Sequence, residues 1–230
     1  MSTLTAEAAF FEEVASNFAR SYHSTVVLRQ RLEFWHQYIA RYARSGGMCI
    51  DAGCGPGLLL RKALELGMGG LGIDASPTML RLARHNCQKF IERVRFEEVS
   101  LPWRDPELTE SADLIICSSV LEYVPDVQAA ARDFYRMLKP GGVLLASLPN
   151  RQSWFRKIES MRSFFVPLKY LRFQHHQFTL AGAQNLFADV NLVPEEIRCF
   201  SRSPLAIRMR LPESSPRAGN MLLCVMRKPG

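Results

Sequence analysis

Residues 50–57 read "IDAGCGPG", one acid followed by three glycines and a proline behind a short apolar run. A strand that ends in Gly-x-Gly-x-Gly and runs into a helix lets a ligand touch the backbone, because a Cβ would block the approach. The free N–H groups at such a helix start usually favour a phosphate. Here Asp51 stands two residues before the first glycine. A carboxylate there repels a pyrophosphate, so a cationic ligand group fits better.

Working outward, short apolar runs alternate with helical patterns. Met48–Gly53 reads as a strand and "LLLRKALELG" (58–67) as a helix stopped by glycine. "GLGID" (70–74) is a second strand, followed by Ser76 as N-cap and Pro77 at the first helical position. "RVRFEEV" (93–99) and "ADLIICSS" (112–119) are strands. "VQAAARDFYRMLKPGG" (127–142) is a helix ended by Pro-Gly-Gly, and "VLLASLPN" (143–150) is a fifth strand. This rhythm predicts a doubly wound, Rossmann-like α/β fold with helices on both faces of a mostly parallel sheet. Helix "TLAGAQNLFADVNL" and strands "EEIRCFSR" and "NMLLCVMRK" complete seven strands, the last two separated by a long, proline-rich loop.

Asp74 closes the second strand, where a doubly wound fold places the carboxylate that binds ribose hydroxyls. A nucleoside carrying a cation rather than a diphosphate is therefore the expected ligand. A dinucleotide dehydrogenase would also use a glycine loop and an acid, but "GCGPG" lacks the GxGxxG spacing.

"IDAGCGPG", "GIDAS", "ADLIICSSVLEYVPD" and "LKPGGVLLASLPN" together resemble the class I S-adenosylmethionine-dependent methyltransferases. The small-molecule group with the D-x-G-C-G-x-G loop, ubiquinone-type enzymes included, is the nearest in pattern. The resemblance implies S-adenosylmethionine as methyl donor. It places Asp51, Gly53 and Gly55 around the methionine moiety and Asp74 at the ribose, with Cys54 and Ala75 also in the cofactor site. In "FEEVSLPW" (96–103), Glu97 or Ser100 faces the adenine, with Leu101 against its ring. Tyr22 matches a tyrosine that closes over the methionine end, and Ser118 lies beside the transferable methyl. Glu122-Tyr123 stands where some relatives have Glu-His, which argues against a metal. Glu122 reads as a base or as a surface glutamate opening a helix.

A base is needed only if the acceptor must lose a proton. His175 and His176, which follow a basic segment, are the other candidates. In "NRQSWFRKIESMRSFFVPLKYLRFQHHQF" (150–178), Trp154, Phe155, Ile158, Met161 and Phe165 share one helical face. Three readings follow: a helix packed on the domain, a lid over an apolar acceptor, or a peripheral contact with an anionic membrane.

The bulk numbers fit this picture. A chain of 230 residues, 47% apolar and 22% charged, suits one domain. Its expected parts are an N-terminal helical cap (1–44), a cofactor core (45–150), the lid-like insert (151–178) and a closing helix and strands (179–230). The helical cap shows two apolar series, Phe11, Val14, Phe18, Tyr22 and then Leu28, Leu32, Trp35, Ile39, Tyr42. No apolar run reaches membrane-spanning length and the N-terminus has no secretory pattern. Six cysteines without CxxC spacing read as reduced thiols in a cytoplasmic protein. The net charge of +7 gathers late: residues 151–178 hold six Arg/Lys against one acid, and 198–230 seven against one. That excess admits nucleic acid as a rival acceptor. However, "SSVLEY" stands where base-amino methylating relatives carry Asn/Asp-Pro-Pro-Tyr/Phe, so a small, hydrophobic or amphiphilic acceptor is expected, methylated on oxygen or nitrogen. A non-catalytic binder of S-adenosylmethionine is the remaining alternative.

Overall fold

The computed structural model describes residues 12, 26–163, 172–202, 208–212 and 215–230, without the side chains of 160, 162 and 163. Most of the expected first helix, with Phe11, Val14, Phe18 and Tyr22, lies outside the described residues, as does Phe165. Helix α1 (Val26–Tyr42) leads into β1 (Met48–Ala52), α2 (Leu58–Glu65), β2 (Gly69–Asp74), α3 (Pro77–Asn86) and β3 (Val94–Glu98). Then come β4 (Ala112–Ser118), a single 3-10 turn (Leu121–Tyr123), α4 (Val127–Met137), β5 (Leu138–Pro149) and α5 (Trp154–Ser163). Helix α6 (Leu180–Ala188) and the pair β6 (Val193–Arg202) and β7 (Gly219–Arg227) close the chain.

The seven strands lie in the order β3-β2-β1-β4-β5-β7-β6. All described pairings from β3 to β5 are parallel, and β7 runs antiparallel between β5 and β6. Alternate residues of each central strand serve opposite faces. Ile115 and Cys117 pack with α4 and α6 through Phe134 and Phe187. Leu114 and Ile116 pack with α1 and α2 through Trp35, Ile39 and Leu64. Burial on both faces is why these strands read as continuous apolar runs. The order reverses between β1 and β4, and that switch opens a crevice beyond the carboxyl ends of the strands.

Two elements differ from the sequence reading. Helix α4 stops at Met137, because Pro140 disfavours helix at Lys139 and Leu138 already pairs with Ala112. Helix α5 exists after β5, but its apolar stripe is split, with Trp154 and Ile158 half-buried. Arg156 and Glu159 are the inward pair, with side chains 14% and 11% exposed. Phe155 and Met161 point outward at 38% and 61%.

Candidate functional site

The glycine loop is held by backbone bonds before any ligand is considered. Gly53 and Cys54 both donate N–H to the Ile73 carbonyl, at 2.8 and 2.9 Å, and Gly57 donates to the Cys54 carbonyl at 2.9 Å. These bonds fold the turn after β1 back onto the end of β2. Gly53 and Gly55 both have positive φ, but for different reasons. A Cβ on Gly53 would lie 2.2 Å from Val120 Cγ2, so protein packing dictates that glycine. A Cβ on Gly55 would meet nothing within 4 Å; it would project into open space.

That space is a cleft of about 1360 Å³, open solvent at its mouth included. Of the residues singled out in the sequence, Asp51, Gly53, Cys54, Gly55, Asp74, Ala75, Ser100, Leu101 and Ser118 all line it. Glu97, Glu122, His175 and His176 are not among its described lining residues, and Tyr22 lies outside the described residues.

The two acids are fixed by backbone donors. Asp51, 1% exposed, accepts the Leu60 N–H at 3.1 Å through Oδ2, which occupies one of the donors at the start of α2. Asp74 bridges two loops: Oδ2 accepts from Gly55 N at 2.8 Å and Oδ1 from Ser76 N at 2.9 Å. Ser76, not Asp74, caps α3, accepting from Met79 N at 3.1 Å. Residue 12 reaches this corner too, since Glu12 accepts from the Thr78 N–H at 3.1 Å and from the hydroxyls of Ser76 and Thr78.

Burial pushes the Asp51 carboxyl up to about 7; the Leu60 N–H pulls it back and nearby Asp74 adds to the rise. Asp74 is also raised, chiefly by burial, against the pull of the Ser76 and Gly55 N–H groups. Two neighbouring acids held above their ordinary values make a site that gains from a cation or hydroxyl donors and repels a diphosphate.

Arg31 of α1 also lines the cleft, the single Lys or Arg among its described lining residues. It donates to Ser118 Oγ at 3.5 Å and to Ser119 Oγ. Ser119, at φ 58, ends β4 in the left-handed region and donates its N–H to Ser147 Oγ at 3.0 Å. The sequence reading missed Arg31, although it lies three residues after Leu28 and four before Trp35, on the inward stripe of its helix.

Glu122 is no surface residue: it is 3% exposed, and burial pushes its carboxyl up to about 7 against its own N–H, Arg31 and Arg156. The tight turn Leu121–Tyr123 turns this side chain inward instead of opening a helix to solvent. Among the described residues, Glu122 Oε2 and Arg156 Nε are both buried without a hydrogen-bond partner. The Glu122 carbonyl accepts the N–H groups of His175 and His176, at 2.8 and 3.3 Å. His176 Nε2 lies 3.0 Å from the Val124 carbonyl and 3.1 Å from that of Pro125, so Nε2 carries the proton. Among the described residues, none of α5 lines the cleft.

Residues 27–196 match the family described as "Methyltransferase domain". The ubiquinone biosynthesis O-methyltransferase of Xanthomonas oryzae pv. oryzae (strain PXO99A) is 37% identical over 112 residues, 49% of this chain and 47% of that one. Its counterpart in Pseudomonas entomophila (strain L48) is 32% identical over 112 residues, 48% of each chain. The match thus spans about half the length of these curated relatives. The magnesium protoporphyrin IX methyltransferase of Synechocystis PCC 6803, solved with bound SAH, superposes with a TM-score of 0.73 at 16% identity, over 96% of this chain and 97% of that one. A likeness at that identity establishes the fold.

Proposed function

Because the chain belongs to the methyltransferase domain family, as a class I S-adenosylmethionine-dependent enzyme, we propose that it methylates an oxygen of a small hydrophobic or amphiphilic molecule. The observation that carries the cofactor half is the pairing across one cleft of two raised acids with a single arginine. Asp51 faces the ammonium of the methionine moiety and Arg31 its carboxylate. The remaining lone pairs of Asp74 accept from the ribose hydroxyls, and Leu101 and Ser100 flank the adenine. Gly53 and Cys54 shape the turn beneath, Ala75 continues the ribose wall, and the open space at Gly55 admits the ligand. Tyr22 keeps the role of a closing residue in this reading.

Bound there, S-adenosylmethionine supplies a sulfonium methyl to a lone pair of the acceptor and leaves as S-adenosylhomocysteine. The protein's main contribution is to hold the nucleophile in line with that methyl. Such positioning supplies about 7–11 kcal/mol of a barrier. In this reading Ser118, Ser119 and Tyr123, which line the cleft, belong to its acceptor end. A hydroxyl acceptor also has to lose its proton. Of the three candidates we favour Glu122, which is buried next in sequence to the lining residue Tyr123 and whose carboxyl burial pushes up to about 7. His176 is committed through Nε2 to two carbonyls, so only Nδ1 could accept a proton, and His175 is exposed. The O-methyltransferase relatives support oxygen as the target, and the cleft's lining by Leu32, Leu59, Met79 and Val120 supports an apolar acceptor.

Incubation with labelled S-adenosylmethionine and a panel of phenols, carboxylic acids and amines tests this. Methyl gain on a hydroxyl-bearing amphiphile, lost in Asp51→Asn, is expected. Label entering RNA in preference to every small acceptor would overturn it.

A further inference from the structure

Helix α5 keeps a charged pair on its sheltered side and leaves part of its apolar stripe exposed. Its ion pair, Arg156 Nη1 to Glu159 Oε2 at 2.7 Å, lies inward, and Arg156 Nη2 also reaches Met221 Sδ at 3.5 Å. Phe155 and Met161 lie outward, flanked by the exposed Arg151 and Lys157. Glu159 is the single acid of residues 151–178, and the inward turn removes it from the surface.

A second basic and apolar segment emerges at the same edge. Strand β5 ends at Pro149, β6 ends at Arg202 and β7 begins at Gly219, so α5 and the β6–β7 connection leave the sheet together. That is also the edge where the ends of β1, β2 and β4 frame the cleft. The two segments touch: Trp154 N donates to the Arg217 carbonyl at 3.3 Å, and Lys157 and Arg217 both lie over the Trp154 ring, 5.5 and 5.7 Å from its centre. Within the connection, Met209 is 50% exposed between exposed Arg208 and Arg210.

We propose that this edge docks on an anionic lipid bilayer, with Phe155, Met161 and Met209 entering the interface and the cations meeting the headgroups. A bilayer surface offers apolar depth and negative charge at once, which is what the face presents. A second copy of the chain would bring the same cations against themselves. Nucleic acid would satisfy the cations but give the outward methionines nothing to enter. Docking here sets the cleft's mouth toward the bilayer, so an amphiphilic acceptor can arrive from it. The docking itself does not depend on which acceptor is used.

Flotation of the full chain with phosphatidylcholine vesicles, with and without phosphatidylglycerol, tests the proposal. Binding should require phosphatidylglycerol and weaken with salt. Met161→Ser with Met209→Ser, and separately Arg208→Glu with Arg210→Glu, should each lower the partition coefficient at least ~tenfold. S-adenosylmethionine affinity should stay unchanged in both, which shows that the variants are folded. Equal binding to neutral vesicles, or wild-type flotation of either variant, would overturn it. So would tight RNA binding that only the charge reversal abolishes. If flotation behaves as expected while no small acceptor is methylated, docking stands and the acceptor assignment falls.

Discussion

Asp51 is ionised only at a cost, since burial pushes its carboxyl up to about 7 from an ordinary 3.8. Pairing with the cofactor's ammonium needs the ionised form. S-adenosylmethionine affinity should therefore fall roughly tenfold per pH unit below 7 and level off above it. Calorimetric titrations from pH 5.5 to 8.5 check this, and Asp51→Asn should bind weakly and show a flat profile. The sign for stability is opposite. Between about 4 and 7 the folded protein holds a proton that the unfolded chain has released, so this group's contribution declines as pH rises through that window. Asp51→Asn should accordingly raise the melting temperature of the cofactor-free protein at pH 8. The glycines separate packing from ligand space. Gly55→Ala leaves a folded protein, at about 1–2 kcal/mol for the left-handed backbone, with cofactor affinity down at least ~tenfold. Gly53→Ala should unfold it or lower its melting temperature sharply, because the added carbon meets Val120. Affinity and thermal melts on both variants distinguish the two roles. Asp51 and Asp74 were legible because a short glycine loop fixes what lies beside it. Arg31 was not, because it comes from a helix whose approach to the cleft is set by tertiary packing.

Helix α5 shows the limit of periodicity at the scale of an element. Spacing identified the apolar stripe of Trp154, Phe155, Ile158 and Met161, but it says nothing about which side meets the body. That choice follows from groups distant in sequence: Arg156 coupled to the buried Glu122, and the Met221 sulfur. Arg156→Met should destabilise the fold by about 1–3 kcal/mol, since it removes the ion pair to Glu159 and one of the two cations that act on Glu122. Glu122→Gln in that background should restore part of the loss. Denaturant unfolding of the four forms gives the coupling, and strictly additive effects would show that Glu122 and Arg156 do not interact. Local signals fared better. Ser76-Pro77 marks the start of α3 correctly, because an N-cap and a first-turn proline act within one turn.

At the scale of the whole molecule, the alternation of strands and helices determined the doubly wound sheet, since each apolar run needs cover on both faces. The insertion of β7 between β5 and β6 was not legible; strand order at the closing edge rests on contacts among Leu222, Leu223 and the two neighbouring strands. The same topology sets Asp51 and Asp74 on adjacent strand ends, where each disfavours the other's charge. The free enzyme is thus strained at its centre, on β1, between the two packed faces. A ligand that neutralises this pair stabilises the native state by RT ln(1 + [L]/Kd), about 2.7 kcal/mol at a hundredfold excess over Kd. Digestion by a nonspecific protease, followed by gel, should therefore be slowed severalfold or more by S-adenosylmethionine or S-adenosylhomocysteine, and this protection should disappear in Asp51→Asn. In a living cell, the lifetime of this polypeptide would then follow the supply of methyl donor: starvation for it would expose the protein to degradation, and replenishment would let it accumulate again.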